Sequence, residues 1–163
     1  MNELELILRN LDQAFDAPAW HGTNLRGSIR GLSLDEVTFR PEPGRHNIWE
    51  LTVHCAYWKY TVRRRLTGEK RGSFPLKGSN FFPRPSRGDA GATEAAWRAD
   101  VALLDEVHAS LRAEVASWPL KKLGTKPGGS KFAHRDTLLG IASHDLYHAG
   151  QIQLLKRLAR SGE

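Results

Sequence analysis

Between residues 48 and 66 the apolar residues Ile48, Leu51, Cys55, Trp58, Val62 and Leu66 recur every three or four positions. No other feature of the sequence constrains the fold as tightly, because a strand would need alternation with a period of two. Asn47 followed by Glu50 supplies an N-terminal capping box, with asparagine in place of the usual Ser or Thr, so this helix is predicted over about 48–67. The same test finds three more helices. Leu4, Leu8, Leu11 and Phe15 mark one over 3–15, interrupted by Pro18. Thr93 caps another that carries Ala96, Trp97, Val101, Leu104, Val107, Leu111 and Val115 and runs to about Trp118. The last spans about Asp136 to Arg160. "WHGTNLRGSIRGL" reads as a turn and a short helical stretch, and "RPEPGRHN" as a loop. No strand pattern, heptad run or internal repeat competes.

Four long amphipathic helices within 163 residues predict a single all-α domain over 1–163, a four-helix bundle. Residues 68–92 hold five glycines and three prolines without sustained periodicity. A connection this long between the second and third helices exceeds the two to eight residues usual in bundles, permits parallel neighbours, and suggests a lid or crossover. Cys55 is the only cysteine, which excludes an internal disulfide and a Cys-rich zinc site. The acidic start "MNELELILRNLDQAF" lacks the charge of a signal peptide, and no apolar run reaches the roughly 20 residues of a membrane helix. A cytoplasmic protein without membrane association is expected. The formal charge of +6 is compatible with anionic ligands or nucleic acid but demands neither, and Arg63, Arg64 and Arg65 are read as stabilising a helix C-terminus.

The chemistry centres on "SHDLYHAGQIQLL", where His144 and His148 stand four positions apart on the face of Ile141, Ile152 and Leu155. Two inward-facing imidazoles need hydrogen-bond partners, and one metal ion can serve both. That spacing alone is only moderately specific. His54 falls on the face of Leu51, Trp58 and Val62, the inward side of another helix, so three histidines are predicted to converge. Three nitrogen ligands suit a zinc- or nickel-like ion and leave a coordination position for water or substrate. Glu50, one turn before His54, and Asp145 and Gln151, flanking the pair, are candidates to accept the imidazoles' other N–H; capping rivals this role for Glu50, and a solvent-facing position rivals it for Asp145. His21 is a candidate site-wall residue, although a loop histidine is more often merely solvated; His108 and His134 have no partner at metal spacing, and His46 precedes a helix cap, so none of these three is assigned to the site. The residues between His144 and His148 lack the glutamate of H-E-x-x-H, and the E-x-x-H pairs of a di-iron bundle are missing, which leaves a mononuclear site.

"HNIWELTVHCAYWKYTVRRRLTGE" followed by "HDLYHAGQIQLLKR" resembles the DinB/YfiT-like superfamily, and "PAWHG" and "KGSNFFPRPS" are similar to segments of one of its branches. The resemblance implies an up-down-down-up bundle, a divalent metal on His54, His144 and His148, and frequent homodimers. It also implies a metal-dependent hydrolase or a thiol-dependent S-transferase, the latter using a low-molecular-weight thiol. The expected partner is a small-molecule substrate, with no specific nucleic acid. In the long loop, Lys77, Arg84 and Arg87 are candidates to attract an anionic substrate. A non-catalytic metal-tied bundle, or a damage-response binding protein, is the alternative.

Overall fold

The computed structural model describes residues 1–161, and among them every regular element is helical. In chain order these are α1 (Glu3–Phe15), α2 (Leu25–Ser28), α3 (Leu34–Thr38), α4 (Ile48–Thr67), α5 (Glu94–Ala116), a 3₁₀ turn (Leu120–Lys122) and α6 (His134–Ser161). The four long helices lie where the periodicity places them. Asn47 caps α4 through the expected box with Glu50, and Thr93 caps α5 by accepting from the Ala96 N–H. α6 starts two residues earlier than expected, since the Asp136 carboxylate accepts from the Ala133 N–H and stabilises the turn ahead of it. α3 was not predicted: five residues are too few to show a period, although Ser33 and Glu36 form a complete capping box.

The description of α4 as amphipathic needs correction. Fifteen of its twenty residues are buried, because it packs against α3, α5 and α6 while the long loop covers its remaining side. α1 packs on α6 and α5. The apolar side chains divide into two clusters. One is centred on Trp49, Val53, Tyr57, Phe82 and Trp97, and the other joins Ile7 and Leu11 to Val62, Leu111 and Leu138. Partly buried Trp58 touches both. Burying side chains of this size contributes roughly 1.5–3 kcal/mol each, enough to set the relative position of the helices that carry the histidines.

Inside this apolar interior lies a polar pair. Lys59 of α4 and Asp145 of α6 are both fully buried, with Nζ and Oδ2 at 2.5 Å. Lys59 also stands 5.0 Å from the Phe15 ring centroid, and Phe15 stacks at 3.5 Å on buried His108 of α5. Residues 68–93 contain no helix and run back along α4, tied by Asn47 Nδ2 donating to the Pro85 carbonyl and by Arg84 to Asp100 of α5. Among the described residues no helix is long and apolar enough to cross a membrane.

Candidate metal centre

α4 presents His54 and α6 presents His144 and His148 to one point. His144 Nε2 lies 3.1 Å from His54 Nε2 and 3.1 Å from His148 Nε2. Two nitrogens bound at 2.0–2.1 Å to a tetrahedral ion stand about 3.3 Å apart. The donor set therefore fits a single ion with little adjustment. The rings have the tautomers such an ion requires. His54 Nδ1–H donates to the Asn80 carbonyl at 2.9 Å, and His148 Nδ1–H donates to Gln151 Oε1 at 2.7 Å, so both Nε2 lone pairs face inward. Two lone pairs aimed at the one Nε2 of His144, which can offer at most one proton, leave at least one repulsive contact. A cation relieves it.

The electrostatics agree. Burial, with further contributions from His148 and His46, holds His54 at about 4 despite its bond to Asn80. Burial, His148, His54 and Lys59 hold His144 at about 3, and burial lowers His148 as well. All three imidazoles are thus neutral at pH 7, the form that binds metal. His144 Nδ1 is buried with no hydrogen-bond partner, as is Asp145 Oδ1. A nitrogen of His144, a carboxylate oxygen of Asp145 and Cys55 Sγ lie within 4.8 Å of one another, which places the carboxylate behind the ligand. Asp145 is therefore not a solvent-facing residue: burial raises it to about 6 against the pull of Lys59. Cys55 is fully buried, and burial and Asp145 push its thiol well above the ordinary range, so it is inert as a nucleophile.

The three histidines open onto a cavity of about 760 Å³ whose apolar walls include Leu51, Trp58, Phe81, Tyr147 and Leu154. The long loop supplies Asn80 and Phe81 to this wall. Asn80 holds a left-handed backbone at φ 68°; besides accepting from His54 through its carbonyl, it accepts from Trp58 Nε1 through Oδ1 at 3.0 Å. Phe81 is sandwiched, with His54 stacked at 4.0 Å on one face and His46 at 3.7 Å on the other. Glu50 does not touch His54. Its buried carboxylate takes both ends of the Arg40 guanidinium at 2.7 Å, the Arg84 N–H, and His46 Nδ1 at 3.1 Å. Although burial alone would raise it, these donors hold Glu50 at about 2. Glu50 thus shapes the site by anchoring the loop and orienting His46, whose Nε2 has no partner among the described residues.

None of the three basic loop residues lines this cavity. Lys77 is exposed, Arg84 is bound to Asp100 at 2.7 Å, and Arg87 lies over the Phe39 ring while donating to the Asp35 carbonyl. The basic residue at the cavity is Arg45, beside Glu42. His21 is exposed and not part of the wall. From the sequence His46 is set aside as the residue before a cap, and Asn80 and Phe81 are not singled out within the loop segment "KGSNFFPRPS". His46 carried a signal, the i,i+4 spacing to Glu50, whereas the two loop residues have no periodicity to betray their placement. No curated protein and no solved structure matches the chain. A family model described as DinB superfamily does match, over residues 19–152, a span that takes in all three histidines, and the chain belongs to the DinB superfamily.

Proposed function

We propose that the protein is a mononuclear divalent-metal enzyme acting on a small, largely apolar electrophile, by hydrolysis or by thiol S-transfer. The observation that carries this reading is the convergence of three neutral Nε2 donors, 3.1 Å apart along two edges, in the wall of a cavity large enough for a substrate. A zinc or nickel ion there would acidify water or a low-molecular-weight thiol toward neutral pH and polarise the electrophile.

The chain's own residues do the rest. Trp58, Phe81, Leu51 and Leu154 exclude water from the bound substrate and favour an apolar body over a charged one. Gln151 and the Asn80 carbonyl fix two imidazoles so that no reorganisation is needed when the ion enters. The chain lacks the glutamate of the H-E-x-x-H motif, and His46 is the replacement we assign. With Nδ1–H given to ionised Glu50, Nε2 is the atom that accepts the nucleophile's proton and returns it to the leaving group. Arg45, in place of the basic loop residues, meets any anionic substituent at the mouth. The partners on this reading are the substrate and a second copy of the chain, the latter checked by sedimentation.

Elemental analysis of protein purified without a histidine tag tests the reading first: about one ion per chain is expected, and none after His144→Ala. A screen of low-molecular-weight thiols against aryl halides and epoxides, run beside ester and amide hydrolysis, separates the two reactions. Metal-free protein from a metal-replete preparation would sink the proposal.

A further inference from the structure

A second pocket, of about 330 Å³, lies on the far side of Trp58 and Asn80 from the metal cavity, and these two residues line both. Its other walls include Arg64, Arg65 and Arg71 with the hydroxyl-bearing residues Tyr57, Thr61 and Ser79. We propose that this pocket binds a phosphate-class oxyanion, free or carried as a monoester by a ligand.

The case rests on how the arginines of this chain are partnered. Nine of them hold a carboxylate within 4.0 Å: Arg26, Arg40, Arg45, Arg63, Arg84, Arg98, Arg112, Arg135 and Arg160. Among the described residues the three in this pocket hold none; Arg9, Arg30, Arg87 and Arg157 also hold none, but they do not line this pocket, which brings three such arginines together. Arg71 donates to the Tyr57 hydroxyl at 3.0 Å, and Arg64 to the Glu69 carbonyl at 3.2 Å; both acceptors are neutral, so they fix the guanidiniums without cancelling their charge. Arg65 has no partner among the described residues. Glu69, the nearby acid that could have neutralised them, is bound at both oxygens by Arg63, at 3.0 and 2.7 Å, and does not line the pocket. No carboxylate lines it at all. Three uncompensated guanidiniums around one concavity repel one another, and planar forks of this kind match a tetrahedral oxyanion bidentately. Stabilisation of the α4 terminus accounts for a basic last turn, but that terminus is already closed by Gly68 at φ 76°, and Arg71 lies outside the helix. The Trp58–Asn80 bond separates this pocket from the metal cavity, so an oxyanion seated here stands beside the reaction site rather than in it.

The inference does not depend on the metal reading, and calorimetry can keep the two apart. Inorganic phosphate and, in a second arm, phenyl phosphate are titrated into the full chain and into Arg64→Gln, Arg71→Gln, Arg157→Gln and His144→Ala, each checked for helicity by circular dichroism. Arg71 is exposed, so R71Q keeps the test valid if R64Q folds poorly. Expected is saturable binding that weakens at least about tenfold in R64Q and in R71Q and is unchanged in R157Q, which removes an arginine elsewhere, and in H144A. Tighter binding of phenyl phosphate assigns the pocket to a monoester, and tighter binding of inorganic phosphate to the free ion. Absent binding, binding equally weakened by R157Q, or binding that survives R64Q and R71Q but is lost in H144A overturns the proposal, the last by placing the phosphate at the histidines.

Discussion

His108 offers a sharp test of the electrostatics, because it is buried in the same interior yet is no metal ligand. Its side chain is 5% exposed, stacked on Phe15, and its Nδ1 has no partner. Burial, with Lys59 and Arg112 nearby, holds it at about 3, below the ordinary 6.5. The folded state therefore resists the proton that the unfolded chain accepts, so stability is full above pH 6.5 and declines as pH falls toward the folded value. At pH 5 the unfolded chain has gained about 1.5 units' worth of protonation free energy, which at 1.36 kcal/mol per unit is about 2 kcal/mol. That figure is insensitive to the folded value as long as it lies well under 5. Replacing His108 with Leu removes the group, so the stability of His108→Leu relative to the parent should rise by about 2 kcal/mol on going from pH 7.5 to pH 5. Contributions of His54 and His144, present in both proteins, cancel. Urea unfolding followed by circular dichroism, with metal chelated, reads the difference directly. An equal gap between the two proteins at both pH values would refute the claim that this imidazole is held neutral by its surroundings.

Other expectations follow from the same interior. Gln151→Leu deprives His148 Nδ1 of its acceptor and should weaken zinc binding about 10- to 100-fold with the fold intact; a competition titration with a chromophoric chelator that finds no change would count against the orienting role. Lys59→Met removes the cation that holds the Asp145 proton off, so the buried carboxyl must either stay as an unpaired charge or take up a proton, and the change should cost about 3–5 kcal/mol. The double variant Lys59→Met with Asp145→Leu should recover most of that loss, and if the double is no better than the single, the pair is not the reason for the loss. Chelation should leave the far-ultraviolet helical signal nearly unchanged while lowering the melting temperature, since the two apolar clusters form without the ion. Collapse of helicity on chelation would instead identify the metal as a structural tie.

Periodicity and caps located α1, α4, α5 and α6, because each is long enough for an apolar face and a terminal side chain to leave separate marks. α3 escaped notice for want of length. The convergence of three histidines was legible for the same reason as the helices: His54, His144 and His148 share the inward phase of their neighbours. What surrounds them was not. Asn80 and Phe81 reach the site through a loop whose path is set by Arg40, Glu50, Arg84 and Asp100, contacts separated by up to dozens of residues and invisible to any local period. The burial of Asp145 was hidden too, since its partner Lys59 lies 86 positions away and a lone Asp beside a histidine reads as polar surface.

The acceptor that aims His54 belongs to the main chain of residue 80, and this has a practical corollary for anyone mapping the protein by mutagenesis. Exchanging the side chain there leaves the carbonyl in existence, so a substitution survey registers the loss of the amide that meets Trp58 and the strain of the left-handed backbone, but not the carbonyl's own contribution. Shortening or lengthening the stretch between Gly68 and Thr93 by a residue is the edit expected to swing the oxygen out of reach of His54.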